Sequence, residues 1–282
     1  INSSIVPTLE GNGKKCGTDF NVCYVPEWVA LGELVKGFLN PDFMLIGCDY
    51  DGSFIETLYR QFLEKEIVIH HMNIVNAEIS KVALNSYIAT KITFANILAD
   101  YCEGIPGADS SIITKTIGQD SRIGNKYFKG GMSYGGPCFP RDIIAFRAFG
   151  GKAEMFADLI DHLNYGRIKK IAKIVKKLNP KKVGILGMAF KVGTSVIQDS
   201  PSYWLSEILD RKNVMHYDPL ATGDDIYNNL DAVVSACDVL ILMLPYPEFK
   251  DLGKDKIVID CWGICDEAEV TLGKYMRLYG EL

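Results

Sequence analysis

Residues 73–103 contain neither glycine nor proline, and this stretch constrains the fold more than any other part of the sequence. Its apolar residues recur near the 3.6-residue period of an α-helix, namely Ile79, Val82, Ala83, Ile88, Ile92 and Leu98. A helix of roughly 30 residues is about 45 Å long, which exceeds the width of a small domain. The cluster Gly104-Ile105-Pro106-Gly107 predicts its end. We therefore expect one long helix that connects domains or supplies a dimer interface.

The sequence before this helix is short and of mixed α/β character. Strands are predicted at residues 21–25 and 43–47, and a helix at 53–63, where Phe54, Leu58 and Phe62 share one side. About two strands and two helices in roughly 70 residues are few for an independent domain, because their sheet would have exposed edges. Residues 1–72 are therefore predicted to be the end of a larger domain whose sheet is incomplete.

The last third of the sequence alternates strands and helices. Short apolar strands are predicted at residues 182–186, 214–217, 239–244 and 257–260, with helices at 201–209 and 231–237. This alternation is typical of a parallel, doubly wound sheet with helices on both faces. Further helices are predicted at 109–117, 141–149 and 154–177. The sequence thus predicts an α/β fold with two Rossmann-like parallel sheets, the first incomplete, in residues 1–72 and 179–282. A long-helix domain at 73–178 joins them.

Composition and charge exclude several classes of protein. Thirty Lys and Arg residues against thirty-five Asp and Glu give a net charge of −5, which argues against a nucleic-acid partner. The longest apolar run, residues 239–244, is far short of the roughly 20 residues that span a bilayer. The eight cysteines form no CxxC pair and only four histidines accompany them, so no metal site is expected. Without a recognisable secretory signal, we expect reduced thiols in a cytoplasmic protein, most of them small buried hydrophobes.

One cysteine is expected to differ from the others. The tract from residue 130 to residue 142 holds four glycines in seven residues, which lets a ligand approach the main chain, and then Cys138. Pro140 suits the first turn of a helix, which places Cys138 just before the helix N-terminus. There the helix dipole and free N–H groups favour a thiolate, and Lys129 and Arg141 add positive charge nearby. The tract predicts a nucleophilic cysteine. The alternative is a flexible loop whose cysteine is buried.

Three further polar residues are weaker candidates. Lys81 and Asn85 are four residues apart on the long helix, so their side chains leave from one face. Together they could hold a sugar hydroxyl, a carbonyl oxygen or a water; the alternative is a solvated helix face. Glu27 follows Pro26 at the carboxyl end of a predicted strand, where open α/β sheets bind ligands. A lone carboxylate at such a place is more often a turn residue.

The last third of the sequence also has some features of a dinucleotide-binding fold. Gly184 and Gly187 accompany its first strand and Asp218 ends its second, but the tract reads Gly-x-x-Gly and not GxGxxG. We therefore expect a Rossmann-like layer that is not specialised for NAD through this loop.

Taken together, these segments resemble the UDP-glucose/GDP-mannose dehydrogenase family, the nucleotide-sugar 6-dehydrogenases. The resemblance covers nearly the whole chain, and its most specific motif is Tyr134-Gly135-Gly136-Pro137-Cys138-Phe139-Pro140-Arg141-Asp142. Weaker motifs follow in the family's order: Val25-Pro26-Glu27-Trp28, Phe38-Leu39-Asn40-Pro41-Asp42, Lys81 with Asn85, Asp120-Ser121-Arg122-Ile123-Gly124, Gly187-Met188-Ala189-Phe190-Lys191, Asp199-Ser200-Pro201 and Tyr217-Asp218-Pro219.

The resemblance implies a two-step oxidation in which two NAD⁺ take two hydrides from C6 of a nucleotide-linked hexose and leave a uronic acid. Cys138 would hold the aldehyde as a thiohemiacetal and then the acid as a thioester. Lys81 would stabilise the oxyanion and Asn85 would orient the sugar. Glu27 would handle the water or proton, and Asp142 would assist with that same water or with proton transfer. Lys81 and Glu27 could also exchange these roles.

The resemblance also implies binding residues and partners. The nucleotide-sugar would contact Glu27, Lys81, Asn85, Arg122, Lys129, Gly130, Gly131, Tyr134, Gly135, Phe190 and Lys191. NAD would lie near Leu31, Cys138, Arg141 and Gln198. The long helix would form a homodimer.

Three places depart from the family's pattern. Leu31 stands where many members have an acidic residue, and Gln198 stands where many have an arginine that contacts NAD. The segment Asp260-Cys261-Trp262-Gly263 replaces one whose arginine reaches a neighbouring subunit's ligand. The identities of the sugar and of the base, UDP or GDP, therefore stay open.

The family begins with a GxGYxG loop for the NAD pyrophosphate, and no such loop precedes Ile1. We therefore expect this chain to bind NAD poorly and to be inactive alone, as part of an active protein of roughly 400 residues. The alternative function is a dimerising fragment that binds nucleotide-sugars without catalysis. A thiol hydrolase or transferase is disfavoured, because the sequence suggests no histidine partner for Cys138.

Overall fold

The computed structural model describes residues 1–29, 31–252, 256–265, 268 and 270–274. The chain forms two compact units, residues 1–84 and 85–282, and the boundary falls inside the longest helix. The domain boundaries predicted near residues 72 and 178 stay a prediction.

The first unit is a small sheet with short helices. Its elements are α1 (Ile5–Glu10), β1 (Cys23–Tyr24), α2 (Leu34–Leu39), β2 (Met44–Cys48), α3 (Ser53–Arg60), β3 (Ile69–Met72) and the start of α4 (Ile74–Glu103). β2 is central, pairing with β1 in antiparallel and with β3 in parallel orientation. The expectation of two strands and two helices was therefore wrong. β3 was missed because His70 and His71 interrupt its apolar pattern, and α1 and α2 because each has only six residues.

The helices of the second unit confirm the predicted elements with small shifts in their ends. α4 spans the predicted long stretch almost completely, and α5 (Ser110–Ile117), α6 (Phe139–Arg147) and α7 (Lys152–Leu178) follow it. Asp109 caps α5 by accepting a hydrogen bond from the Ser111 N–H. α7 ends where Asn179 adopts a left-handed conformation with φ 48°. α6 begins two residues earlier than predicted, because Pro140 lies inside its first turn.

The six-stranded sheet of the second unit is entirely parallel. Its strands are β4 (Val183–Leu186), β5 (Val214–Tyr217), β6 (Ile226–Tyr227), β7 (Val239–Leu242), β8 (Ile257–Asp260) and β9 (Val270–Thr271), with α8 (Pro201–Leu209) and α9 (Leu230–Ala236) among the connections. The spatial order β6-β5-β4-β7-β8-β9 is the doubly wound Rossmann order, which reverses direction between β4 and β7. The Rossmann-like prediction is confirmed, although β6 and β9, with two residues each, were missed.

Both faces of this sheet are packed, as the continuous apolar strands predict. Ile241 faces a cluster with Ile171 of α7 and Leu205 of α8. Its neighbours Leu240 and Leu242 face the opposite cluster, which includes Val233 of α9. This alternation along β7 follows the two-residue period of a strand. The sheet therefore presents its loops only at its two ends.

Candidate active site

Cys138 occupies the N-cap position of α6 and its side chain is exposed, as the sequence predicts. The first turn of α6 contains Phe139 and Pro140, and the Asp142 N–H donates to the Cys138 carbonyl at 2.9 Å. The thiol therefore stands at the end of a helix where unpaired N–H groups and the dipole favour a negative charge. The alternative of a buried cysteine is wrong for this position.

The tract leading to Cys138 is not a flexible loop, because buried side chains from α4 and α7 hold its main chain. Asn96 accepts from the Gly131 N–H at 2.9 Å and donates to the Met132 carbonyl at 3.2 Å. Asn164 accepts from the Tyr134 N–H at 2.9 Å and donates to the Tyr134 carbonyl at 3.0 Å. These two amides pair with the main chain as a neighbouring strand would.

Arg167 completes this support from inside the protein. Its Nε donates to the Gly131 carbonyl at 2.9 Å, while its guanidinium pairs with Asp100 and, at 3.6 Å, with the fully buried Glu103. Burial raises the pKa of Glu103, and Lys170 and Arg167 oppose that shift. Asn96, Asn164 and Arg167 were missed by sequence reasoning, since polar residues on two long helices are ordinarily solvent-facing.

The glycines before Cys138 serve the packing of the protein itself. A Cβ at Gly131 would lie 2.6 Å from the Trp262 indole ring. Gly136 has φ +81°, and a Cβ there would lie 2.4 Å from the Phe190 ring. The predicted backbone freedom is therefore real at Gly136, whereas at both positions the close approach is made by a side chain of the protein.

A carboxylate and an amide form the second part of the site. Asp142, on the first turn of α6, is 5% exposed and accepts from Asn85 Nδ2 at 2.6 Å. Its other oxygen accepts from Arg141 Nε at 3.0 Å. Within the second unit, the structure thus brings three predicted catalytic residues together, Cys138, Asp142 and Asn85. Asn85 is held in one orientation by a charge-assisted hydrogen bond.

The first unit contains a separate cluster of predicted residues. Lys81 Nζ donates to the Glu27 carbonyl at 2.8 Å and lies 5.0 Å from the centre of the Trp28 ring. Partial desolvation raises the pKa of the Glu27 carboxyl, and the positive charge of Lys81 opposes that shift. Glu27 and Lys81 are therefore neighbours, which the sequence did not indicate. Leu31, half-buried, follows four residues after Glu27.

A crevice of about 360 Å³ opens in the second unit at the carboxyl ends of β4 and β7. This is the topological switch point of the sheet, where doubly wound folds bind their ligands. Its lining comprises Ile92, Tyr127, Met132, Ser133, Tyr134, Gly135, Phe139, Ala189, Phe190, Lys191, Val192, Pro201, Ser202, Met243, Leu244, Pro245 and Trp262. Four of the predicted substrate residues are among them, namely Tyr134, Gly135, Phe190 and Lys191.

A buried carboxylate shapes the loops beside this crevice. Asp218, 2% exposed at the end of β5, accepts from the N–H groups of Met188 and Ala189 at 2.8 and 2.9 Å. It also accepts from Leu220 and Ala221. Because backbone groups take both of its oxygens, Asp218 orders the loop after β4.

The remaining predicted residues are more exposed. Arg122 pairs with Asp120 at 2.7 Å, and Lys91 holds the same loop by donating to the Ile123 and Gly124 carbonyls, each at 2.8 Å. Lys129 and Gln198 are exposed. Gly130 lies against α4, where a Cβ would meet Ala99 at 2.7 Å. The assigned roles of these residues stay predictions.

The described residues cover two strand-to-helix connections of the first unit in full, from β2 to α3 and from β3 to α4. At α3, the Ser53 N–H donates to Asp51 at 2.9 Å. At α4, Asp49 accepts from the Ile74 N–H at 3.2 Å and Asn73 accepts from the Asn76 N–H at 2.8 Å. Both helix starts are thus occupied by the chain's own polar groups, and a bound pyrophosphate would meet carboxylates there.

Two family models match the chain. The central domain of the UDP-glucose/GDP-mannose dehydrogenase family matches residues 75–165, and the UDP binding domain of that family matches residues 184–267. The chain is 30% identical over 294 residues to a GDP-mannose 6-dehydrogenase from Azotobacter vinelandii, covering 93% of this chain and 67% of the relative. It is 31% identical over 284 residues to a UDP-glucose 6-dehydrogenase from Rickettsia typhi, covering 90% of this chain and 65% of that relative.

A solved structure agrees with the sequence matches. The UDP-glucose dehydrogenase from the hyperthermophilic archaeon Pyrobaculum islandicum has a TM-score of 0.82 at 26% identity, over 91% of this chain and 64% of that one. The chain therefore belongs to the UDP-glucose/GDP-mannose dehydrogenase family, which confirms the predicted resemblance. It spans about 65% of the length of relatives such as the Rickettsia typhi enzyme.

Two further findings concern the described part of the chain. None of its helices is both long enough and apolar enough to cross a membrane. Those residues also contain no group of three or more histidine, cysteine or acidic side chains that could hold a metal ion.

Proposed function

We propose that the protein containing this chain is a nucleotide-sugar 6-dehydrogenase that oxidises C6 of a UDP-hexose or GDP-hexose to a uronic acid. One observation carries the proposal. An exposed N-cap cysteine stands one helical turn from the buried Asp142–Asn85 pair, and the next residue, Phe139, lines the crevice of a UDP-binding-type domain.

Cys138 would act as the nucleophile in this reaction. Its sulfur would form a bond to the C6 carbon of the intermediate aldehyde while the aldehyde oxygen takes up a proton, which gives a thiohemiacetal. After the second oxidation that carbon is held as a thioester, and water cleaves the C–S bond to release the carboxylate and return the thiol. NAD⁺, when bound, would supply the hydride acceptor for both oxidations. No residue of this chain is assigned a step at that cofactor.

The Asn85–Asp142 pair would orient the sugar at Cys138. Asp142 is nearly inaccessible, so its hydrogen bond to Asn85 Nδ2 is shielded from water and fixes the amide. A fixed amide can hold a sugar hydroxyl in place without losing side-chain entropy on binding. Asp142 would also assist proton transfer or the hydrolytic water, as the family resemblance suggests.

Lys81 and Glu27 are proposed as the remaining catalytic groups. The family resemblance gives Lys81 the stabilisation of the oxyanion and Glu27 the handling of the water or proton. The raised pKa of Glu27 supports the second role, because a general base works best with a pKa nearer to neutrality. Their contact within the first unit supports a shared task.

The nucleotide half of the substrate would occupy the crevice of the second unit. Phe190 and Lys191 lie at its edge, with the lysine ammonium 5.8 Å from the centre of the phenyl ring. An aromatic face and a cation together suit a base and a diphosphate. Arg122, Lys129, Gly130 and Gly131 are proposed to complete this binding, with NAD near Leu31, Arg141 and Gln198 in the whole protein.

A homodimer through α4 belongs to the same proposal. In the second unit, α4 exposes Tyr87, Phe94, Ile97 and Tyr101, which recur at spacings of seven, three and four residues. Such a heptad-like stripe suits packing against another helix. The cytoplasmic location expected from the cysteines stays a prediction.

A second candidate function is supported by the occupied helix starts of the first unit. With these helix starts occupied, this chain would bind nucleotide-sugars and dimerise but turn nothing over by itself. Both functions predict binding of the nucleotide-sugar, whereas only the first predicts NADH.

The test measures binding and turnover separately, on the purified chain and on the full-length protein that contains it. Calorimetry with UDP-glucose, a UDP-N-acetylhexosamine and GDP-mannose identifies the substrate class, and NADH is then counted per uronate formed. We expect two NADH per uronate from an active protein. Cys138→Ser should retain binding and lose turnover by on the order of 10³-fold or more. Cys16→Ser, at a half-buried thiol of the first unit, is the matched control.

Each outcome separates the candidates. Binding without NADH supports the second function. One NADH per uronate, or full turnover in the Cys138→Ser variant, would contradict the covalent two-step route. Absence of binding to all three nucleotide-sugars would contradict both functions.

A further inference from the structure

Two cysteines face one another in the sheet of the first unit. β1 and β2 are antiparallel, and their register places Cys23 directly opposite Cys48. The two sulfur atoms are 2.6 Å apart, with the Cys23 thiol donating to Cys48 Sγ. A disulfide has an S–S length of about 2.05 Å and joins Cα atoms roughly 4.4–6.8 Å apart, which covers opposite residues of an antiparallel pair. The backbone therefore already holds the geometry that a disulfide needs.

The surroundings of the pair distinguish it from the four buried cysteines of the second unit. Cys23 and Cys48 are half-buried, so small oxidants can reach them, whereas Cys102, Cys237, Cys261 and Cys265 are buried. Burial and the contact with Cys48 raise the pKa of Cys23 to about 12. Cys23 is therefore disfavoured as the first sulfur to be oxidised, and the steps below begin at Cys48.

We propose that Cys23 and Cys48 are a reversible dithiol–disulfide site, oxidised by a hydroperoxide to a cross-strand disulfide. In the first step Cys48 sulfur attacks the peroxide oxygen, breaks the O–O bond and becomes a sulfenic acid, while the peroxide leaves as an alcohol or water. In the second step Cys23 sulfur attacks the Cys48 sulfenic sulfur and a water molecule leaves. Two thiols lose two electrons and two protons in total, and the peroxide is reduced by the same two electrons.

The bond would clamp an otherwise weak strand. β1 has only two residues and pairs with β2 through two register positions, Cys23–Cys48 and Tyr24–Gly47. A ladder this short frays readily. A covalent link at its first position would hold β1 against β2 and thereby fix the start of the segment that leads to Glu27, three residues beyond Tyr24.

Peptide mass mapping tests the site in the full chain. Trypsin releases residues 16–36, which contain Cys16 and Cys23, and residues 37–60, which contain Cys48. After treatment with hydrogen peroxide and alkylation of the remaining thiols, we expect these two peptides to be joined. The intact chain should be lighter by about 2 Da, and dithiothreitol should reverse both changes. Hydrogen exchange at the Tyr24 amide should slow on oxidation by about tenfold or more.

Three single variants assign the bond. Cys23→Ser and Cys48→Ser should each abolish the joined peptides, whereas Cys16→Ser, the matched control on the same tryptic peptide, should keep them. A joined pair that persists in Cys23→Ser would overturn the proposal in favour of Cys16. The proposal also fails if the unsubstituted chain gives only over-oxidised Cys48, gives disulfides between chains, or gives no change. The decisive measurement is made on the unsubstituted chain. A variant that folds poorly would therefore not protect the proposal from a negative result.

Discussion

The three-stranded sheet of residues 1–84 and the six-stranded sheet of the second unit differ in how their faces are covered. β4, β5 and β7 of the large sheet are buried at every residue, since apolar clusters pack on both faces. In the small sheet β2 is buried over four of its residues, but β3 exposes His70 and His71. Helix α3 also leaves Phe54 74% exposed.

This difference in coverage explains why the two units differ in how firmly their strands and loops are held. A parallel sheet acquires a core when its crossover connections place helices on both faces. The large sheet has crossovers on each side, so its ends are free to carry loops fixed by Asp218 and Asp260. The small sheet has a single described parallel pair, β2 with β3, and one crossover helix, α3. We therefore expect its loops and strands to open more readily than those of the large sheet.

Substitution of Asp260 is expected to have the largest effect on the free energy of unfolding. This residue is fully buried at the end of β8, and its carboxylate accepts four N–H groups, from Trp262, Gly263, Ile264 and Cys265, at 2.6–3.0 Å. Asp260→Ala should destabilise the second unit by about 3 kcal/mol or more, because the buried donors lose their partner. Urea unfolding with hydrogen exchange resolved by peptide would measure the loss in each sheet.

The matched control lies at the end of β2 in the small sheet. Asp49 is exposed and accepts one backbone N–H group, from Ile74 at 3.2 Å, and the side-chain amide of Asn2 at 2.9 Å. Asp49→Ala should cost less than about 1 kcal/mol. Equal losses for the two variants would contradict the view that the two sheets differ in their order.

His216 is expected to have the next-largest effect on the free energy of unfolding, and this effect depends on pH. It is buried on β5, where Nε2 pairs with Ser206 Oγ at 2.7 Å and Nδ1 lies 3.2 Å from the Asp225 carbonyl. Burial lowers its pKa, and the Asp225 carbonyl and carboxylate oppose that shift while Arg211 reinforces it. The unfolded chain therefore takes up a proton below about pH 6.5 that the folded chain resists. The second unit should lose stability as the pH falls below that value, by at most about 1.4 kcal/mol per pH unit.

Unfolding midpoints between pH 5 and pH 8 would measure this slope, with His216→Gln expected to remove it. His70→Gln is the control in the small sheet, because His70 is exposed on β3. A slope that survives in His216→Gln would assign the pH dependence to other groups.

The sequence predicts an element of this fold when the signal for that element lies within a short stretch of the chain. The long helix, the strands of the large sheet and the N-cap position of Cys138 follow from the absence of breakers, from apolar runs and from Pro140, which are all visible in short windows. The short strands β6 and β9 have too few residues for any period to be recognised.

In the candidate site, the sequence indicated the side chains proposed for chemistry but not the side chains that support the main chain. Cys138, Asn85 and Asp142 were expected residues, and the structure brings them together. Asn164 and Arg167 gave no signal, because their partners on the Cys138 tract lie about 30 residues away or more. The Lys81–Glu27 contact joins residues 54 positions apart, and such pairing depends on the tertiary fold.

Substitution of Phe54 is expected to have the smallest effect on the free energy of unfolding. It also tests most directly whether the exposed face of α3 is uncovered. The Phe54 side chain is 74% exposed on α3, so Phe54→Ser removes little buried apolar surface and should change the free energy of unfolding by less than about 0.5 kcal/mol. Leu240→Ala in the large sheet, where the side chain is fully buried, should cost about 2–5 kcal/mol by the same measurement. A loss of more than about 1 kcal/mol in Phe54→Ser would mean that this face is covered in solution, and it would remove the difference between the sheets. If that loss also grew with protein concentration, the cover would be a second copy of the chain, because only association makes stability depend on concentration.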